Sequence, residues 1–303
     1  MKPVAVEHED LAGWGVKAPP VRSARRDRQD WRPLPERRRP RRSPKLLPIR
    51  TPISAKGKWV LYVLSFAIPL AAWFVLSEAK ILPPEFLPTP EATFSKLVEL
   101  AQSGQLWPNL WATSERVIYG FAIAIVISVP LGFMMGTFQA AQALFEPIIS
   151  LVRYLPVPAF IPLLIIWLNS VDEPPKIALI ALAVVFFNTF MIADVVKSVP
   201  MPMINVSYTL GARRGEVLRR VILPHALPGM IDAIRVNLAA AWNFVIVAEE
   251  VNAATGLGHE IMQAQRFLRT NEIFAVLIVI GLVGLVLDVA LRLLRGRVGR
   301  WVV

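Results

Sequence analysis

The sequence predicts an all-α, polytopic integral membrane protein with about six transmembrane helices, and three observations carry that prediction. Hydrophobic residues make up 55% of the 303 residues, and the mean hydropathy is +0.51. Those residues gather in blocks long enough to cross a bilayer. Basic residues collect in flanks that one topology places on the same side.

The chain opens on a stretch unlike the rest. Sixteen basic and six acidic residues lie at or before Lys58, so this stretch holds +10 of the formal charge of +11. A folded basic face for nucleic acid is thereby not expected. Pro33, Pro35, Pro40, Pro44 and Pro48 alternate with Arg37, Arg38, Arg39, Arg41, Arg42 and Arg50, with few apolar residues to bury. Residues 1–57 therefore read as a disordered basic tail, followed by a membrane domain over 58–303. The first apolar block begins only near Trp59, so a cleaved signal peptide is not expected. The chain has no cysteine, which excludes disulfides, thiolate catalysis and cysteine metal sites.

About 20 apolar helical residues cross the hydrocarbon core, where an unpaired backbone amide costs several kcal/mol. Six segments qualify: 59–76, 117–138, 147–168, 177–196, 226–248 and 273–294. The third is interrupted by Pro156, Pro158 and Pro162, and the fifth carries Asp232, Arg235, Asn237 and Asn243. These two are expected to be the interior helices. The tail, the stretch with Lys197, Arg213, Arg214, Arg219 and Arg220, and the C-terminal Arg292, Arg295, Arg297 and Arg300 fall on one side if six spans are crossed. The cytoplasm is that side, because cytoplasmic flanks retain Lys and Arg. The opposite side receives 78–115, the Asp172-Glu173 link and 249–272.

Residues 198–225 are too long for a tight turn. Val206, Leu210, Val217, Leu218, Val221 and Ile222 recur at three- and four-residue steps, as in an amphipathic helix pair on the cytoplasmic face. Gly211 interrupts the pair, and Leu223-Pro224 is expected to close it. The run Asn205-Val206-Ser207-Tyr208-Thr209-Leu210-Gly211, nine residues, then Val221-Ile222-Leu223-Pro224 resembles the loop signature of ABC importer permeases: Glu-Ala-Ala, three residues, Gly, nine residues, Ile, any residue, Leu-Pro. Ala233-Ile234-Arg235-Val236, Ala248-Glu249, Gly256-Leu257-Gly258 and Leu285-Val286-Leu287-Asp288 extend the likeness to the nitrate, sulfonate and taurine branch of type I importers. It runs from about Asn109 to the C-terminus and more weakly over the first span. Asn205, Val206 and Ser207 replace Glu-Ala-Ala, so the acidic first residue is missing.

The resemblance implies a permease subunit in the bacterial inner membrane that pairs with a second copy of itself in the lipid. Two cytoplasmic ATP-binding subunits would supply hydrolysis, with ATP and Mg bound there and no cofactor on this chain. An extracytoplasmic solute-binding protein would deliver a small anion such as nitrate, a sulfonate, taurine or bicarbonate. Asn205, Ser207, Thr209, Leu210, Gly211, Ala212, Arg213, Leu223 and Pro224 would form the contact with the ATPase.

Other readings come from the residues themselves. Asp232 and Arg235 stand at i, i+3 spacing in a span, so they pair with each other or line a water-filled path. Asn188, Asn237, Trp242 and Asn243 line a polar path or clamp helices. Glu249 and Glu250 read as solvated charges at the outer end of the fifth span, with Glu249 also counted, beside Arg235, among the residues that could line the pathway. His225 and His259 are too far apart in the topology to share a metal. No Gly-x-x-x-x-Gly-Lys-Ser/Thr phosphate loop, nucleophile elbow or metalloprotease pair occurs, so hydrolysis of ATP by this chain is not expected. A secondary transporter, or a membrane scaffold recruiting nucleic acid through the Arg-rich tail, are the alternatives.

Overall fold

A computed structural model describes residues 53–251 and 253–298. The tail expected over 1–57 lies outside the described residues apart from 53–57, and Arg300 also lies outside them. The chain divides into two units, Met1–Val60 and Leu61–Val303. The described part of the first is Ile53, Ser54 and the opening of α1.

Helices account for every regular element among the described residues. The long ones are α1 (Ala55–Glu78), α3 (Leu106–Thr137), α6 (Glu173–Lys197), α9 (Leu223–Glu250) and α11 (Thr270–Val298). Shorter ones join them: α2 (Pro90–Gln102), α4 (Gln139–Val152), a 3₁₀ turn (Val157–Phe160) running into α5 (Ile161–Leu168), α7 (Met201–Thr209), α8 (Arg214–Val217) and α10 (Leu257–Arg266). Five helices are long and apolar enough to cross a membrane, and a sixth crossing is available if Gln139–Val152 and Val157–Leu168, bent by 89°, count as one.

Close packing of α3 on α6 settles that choice. A Cβ on Gly120 would stand 2.7 Å from Cβ of Ile180; on Gly132, 2.6 Å from the Thr189 carbonyl oxygen; on Gly136, 2.5 Å from Cβ of Val196. Only glycine permits these approaches, and Gly132 and Gly136 form the Gly-x-x-x-Gly spacing that brings membrane helices together. The facing residue numbers rise together, so α3 and α6 are parallel. The intervening segment must then return the chain across the layer, and the bent pair makes the sixth crossing.

The third span is thus no straight helix. The chain turns at Arg153 to Pro156, where proline offers no N–H to continue the α4 ladder, and the Arg153 guanidinium lies 5.0 Å from the Phe190 ring. The expectation that the third span is interior is also overturned. Most of 147–168 is exposed in this chain, whereas α6 is the most enclosed span: Leu179, Ile180, Val184, Asn188, Thr189 and Ile192 are fully buried. Its position between α3 and α9 gives it neighbours on two sides. In the second span, helix begins at Leu106, a full three turns before the apolar block.

Helix α9 is antiparallel to α6, with Gly229 against Val195 and Asn237 against Asn188. The starts of α3, α6 and α11 and the end of α9 therefore share one end of the bundle with α10, and α7 and α8 occupy the other. Within Leu61–Val303, α1 is largely exposed and is held by Trp73, which stacks on Phe274 at 5.3 Å and donates through Nε1 to the Pro88 carbonyl at 3.0 Å. Gly136→Val should force α3 off the Ala193 carbonyl and Val196 of α6, at a cost of about 1–3 kcal/mol. The check is a fall in the thermal unfolding midpoint of the detergent-solubilised protein, with Gly281→Val, which meets open space, as the control.

Candidate functional site

Residues 198–225 form two arms with different surroundings. After Pro200, α7 runs to Thr209, and the chain reverses through Gly211 at φ +85°. The Gly211 and Ala212 N–H groups donate to the carbonyls of Tyr208 and Ser207 at 2.9 and 3.0 Å, closing the α7 end. The Arg213 N–H donates to Glu216 Oε2 at 2.9 Å and the Glu216 N–H to the Arg213 carbonyl at 2.9 Å, which starts α8.

The second arm is fixed to the body. Val217 and Ile222 are buried with Val196, Val199 and Met230, and Leu218 and Val221 pack beside them. The first arm, apart from Ile204, which packs on the same cluster, turns its apolar groups outward: Val206 is 56% exposed and Leu210, at the bend, 82%. The six apolar residues thus do not share one buried face. Ser207, Leu210, Gly211 and Ala212 line a cleft of about 340 Å³ with Glu216 and Arg220. Asn205, Thr209 and Arg213 are exposed around it.

Leu223 and Pro224 stand apart from this cleft, and they do not close a helix. One 37-residue helix runs from Arg214 to Glu250. A π turn over Leu218–Ile222 precedes Pro224, with the Leu223 N–H donating to the Leu218 carbonyl. Such a wide turn makes room for the proline ring and its missing donor without breaking the helix.

The polar residues within the spans fall into two groups. Asn188 donates to Ser128 Oγ at 2.6 Å and accepts from Asn237 at 3.1 Å, and Asn237 also donates to the Ala233 carbonyl at 2.9 Å. These bonds tie α3, α6 and α9 together at a fully buried point. Near the α7 end, Arg235 pairs with Asp232 at 3.8 Å and with Asp288 at 3.5 Å, Asp232 with Arg295 at 2.7 Å, and Asp288 with Arg292 at 2.7 Å. Trp242 is buried, its Nε1 without a hydrogen-bond partner, and Asn243 is exposed on another face of α9. His225 and His259 lie at opposite ends of the bundle.

Glu249 overturns the expectation of a solvated boundary charge: it is 1% exposed. Its carboxylate accepts from Arg116 Nη1 at 2.6 Å, Thr113 Oγ1 at 2.8 Å and the Gly258 N–H at 2.8 Å. Arg116, 3% exposed, also donates to the Thr255 carbonyl at 2.7 Å and through Nε and Nη2 to Glu173 at 2.5 and 2.7 Å. Thr113 Oγ1 accepts from the Leu257 N–H and Asn109 Oδ1 from the Gly256 N–H, at 2.8 and 2.9 Å. Gly256 sits at φ +127°, where a Cβ would strike the Glu249 carboxylate. Glu250 beside it is exposed. Sequence reasoning missed Asn109, Thr113, Arg116 and Glu173. The signal was present: 109, 113, 116 and the small Gly120 follow one another at four-, three- and four-residue steps, one face of a helix.

Residues 128–303 match the family model for the binding-protein-dependent transport system inner membrane component. A probable ABC transporter permease protein of Brucella melitensis is 34% identical over 80% of this chain and 96% of its own length. The taurine transport system permease protein of Escherichia coli K12 is 33% identical over 78% of this chain and 88% of its own. Among solved structures, a chain of the MetNI methionine ABC transporter in an inward-facing conformation superposes with a TM-score of 0.59 at 19% identity, covering 65% of this chain and 98% of that one; this likeness is one of fold.

Two substitutions test the geometry. Gly211→Ile puts a β-branched residue at positive φ, where side chains are strained whatever the space. It should abolish solute uptake while membrane insertion, read by protease protection, is unchanged. Asn188→Leu leaves Ser128 and Asn237 each short of a partner and should destabilise the chain by about 1–2 kcal/mol, read as a lower unfolding midpoint in detergent.

Proposed function

The chain belongs to the family of binding-protein-dependent transport system inner membrane components, and on that footing we propose that it is the translocation subunit of an ABC importer for a small solute bearing an anionic group, of the sulfonate and taurine type. Two copies form the pathway in the bacterial inner membrane. Two cytoplasmic ATP-binding subunits hold ATP and Mg, and an extracytoplasmic solute-binding protein delivers the solute. This chain neither hydrolyses ATP nor binds a cofactor or nucleic acid.

One observation carries the reading: the helix, bend and helix around Gly211. A separate subunit needs a handle that protrudes yet is rooted in the spans. The buried Val217 and Ile222 supply the root, and Val206 and Leu210 supply an exposed apolar surface that water alone would leave unfavourable. Asn205, Ser207, Thr209, Ala212 and Arg213 surround that surface and are assigned to the ATPase contact. Leu223 and Pro224 serve as the joint to the fifth span.

The charge distribution supports an orientation with this handle and both chain termini in the cytoplasm. Lys197, Arg213, Arg214, Arg219, Arg220, Arg292, Arg295 and Arg297 cluster at its end of the bundle, as cytoplasmic flanks do. Asn188 and Asn237 clamp the interior, and Arg235 belongs to the charge network near the cytoplasmic end. Asn243, exposed on α9 at membrane depth, is assigned to the pathway wall, because an amide facing lipid is unfavourable.

Co-purification with the partner ATPase, followed by reconstitution in liposomes, tests the proposal. Taurine or a related sulfonate, presented with its binding protein, should stimulate ATP turnover severalfold and accumulate inside. Absence of any nucleotide-hydrolysing subunit from the purified assembly would reject the importer reading, and stimulation only by solutes that lack an anionic group would reject the substrate class.

A further inference from the structure

The two features described above lie on one helix. The stretch Arg214–Glu250 is 37 residues long without a break, which at 1.5 Å per residue spans about 55 Å. It begins at the handle and ends at Glu249, whose carboxylate is buried against Arg116. Displacement of the handle therefore reaches the opposite end of the bundle as movement of Glu249, provided that something there engages it.

Arg116 is built for that engagement. Its guanidinium contacts Glu249 at the end of α9, Glu173 at the start of α6 and the Thr255 carbonyl in the turn before α10. Bonds in several directions from a planar cation fix its neighbours more firmly than one contact could. The turn over 253–256 runs into Leu257, which is fully buried with Leu100, Leu106, Ala275 and Val276, and its backbone is tied to side chains of the cluster. Gly256, Leu257 and Gly258 give their N–H groups to the side chains of Asn109, Thr113 and Glu249, so its position depends on this cluster. Glu173 is half exposed and, with Arg116, Glu115, Tyr119 and Thr255, lines a cleft of about 400 Å³. Lys176 also faces Glu173, at 3.5 Å.

We propose that Arg116 is the positioning residue that transmits movement of the handle, carried along the Arg214–Glu250 helix, to the cleft at the outer mouth. It does so by binding Glu249, Glu173 and the turn before α10 as one body. This assignment rests on the importer reading above, and it adds a residue in the second span that touches neither ATPase nor handle.

The test uses the reconstituted assembly with its ATPase and binding protein. Arg116→Gln should leave basal ATP hydrolysis in place while solute imported per ATP falls roughly tenfold, the scale on which interrupting a packed coupling network acts. Arg116→Lys should recover part of the loss. Thr113→Val, which removes the hydroxyl between Glu249 and the Leu257 N–H, should uncouple in the same direction, with Thr113→Ser near the parent value; this pair decides the matter if Arg116→Gln does not assemble. Because the chain has no cysteine, Glu115→Cys in the cleft can report its opening. With a membrane-impermeant maleimide, labelling should differ between nucleotide-free and ATP-trapped assemblies of the parent and become indifferent to nucleotide in Arg116→Gln. Unchanged import per ATP in assembled Arg116→Gln and Thr113→Val, or labelling still governed by nucleotide in Arg116→Gln, would overturn the proposal. A parent assembly with no ATPase or no import would instead reject the importer reading.

Discussion

The architecture depends on the absence of water in the hydrocarbon layer. Backbone groups there must be satisfied within a helix, and polar side chains must find one another. Helix association cannot draw on the hydrophobic effect, because lipid tails are as apolar as leucine, and so it relies on close approach and a few buried hydrogen bonds. Gly120, Gly132 and Gly136 supply the approach of α3 to α6, and the Ser128, Asn188 and Asn237 chain supplies the bonds that include α9. The three enclosed spans follow from those two devices.

Charge is handled by position along the helices. Asp232, Arg235, Asp288, Arg292 and Arg295 pair near the handle end, between α9 and α11. Glu249, Arg116 and Glu173 pair at the opposite end, among α9, α3 and α6. The layer between is mostly apolar, with the asparagine clamp buried at its centre and Asn243 on an exposed face of α9. Burying an ion pair is a weak source of stability, because desolvation offsets much of the attraction. The buried Arg116–Glu249 pair and the partly exposed cluster of Asp232, Arg235 and Asp288, at the two ends of one long helix, make more sense as devices that fix geometry than as sources of folding energy.

The membrane class, the number of crossings and the helix, bend and helix around Gly211 were legible in the sequence, since hydropathy and glycine or proline spacing report local constraints directly. Less legible was whatever depends on which helix lies beside which. The third span reads as interior from its prolines, but its bend puts it outside α6. Glu249 reads as a boundary charge from its place after an apolar block, but Arg116, more than 130 positions earlier, removes it from solvent. Leu223-Pro224 reads as a stop, yet a π turn absorbs the proline.

By itself, then, the sequence determined that the chain crosses the membrane as helices, where the apolar part of each crossing lies and where a glycine reverses the chain between them. These are properties of runs and spacings within about 20 residues, fixed by transfer from water to lipid and by backbone sterics. Tertiary structure alone decided that α3 packs parallel against α6, that the third crossing is sharply bent and lies outside α6, and that Arg116 meets Glu249. Those contacts join residues some 60 to 130 positions apart, and no local periodicity encodes which distant partner will be in reach once the helices have packed.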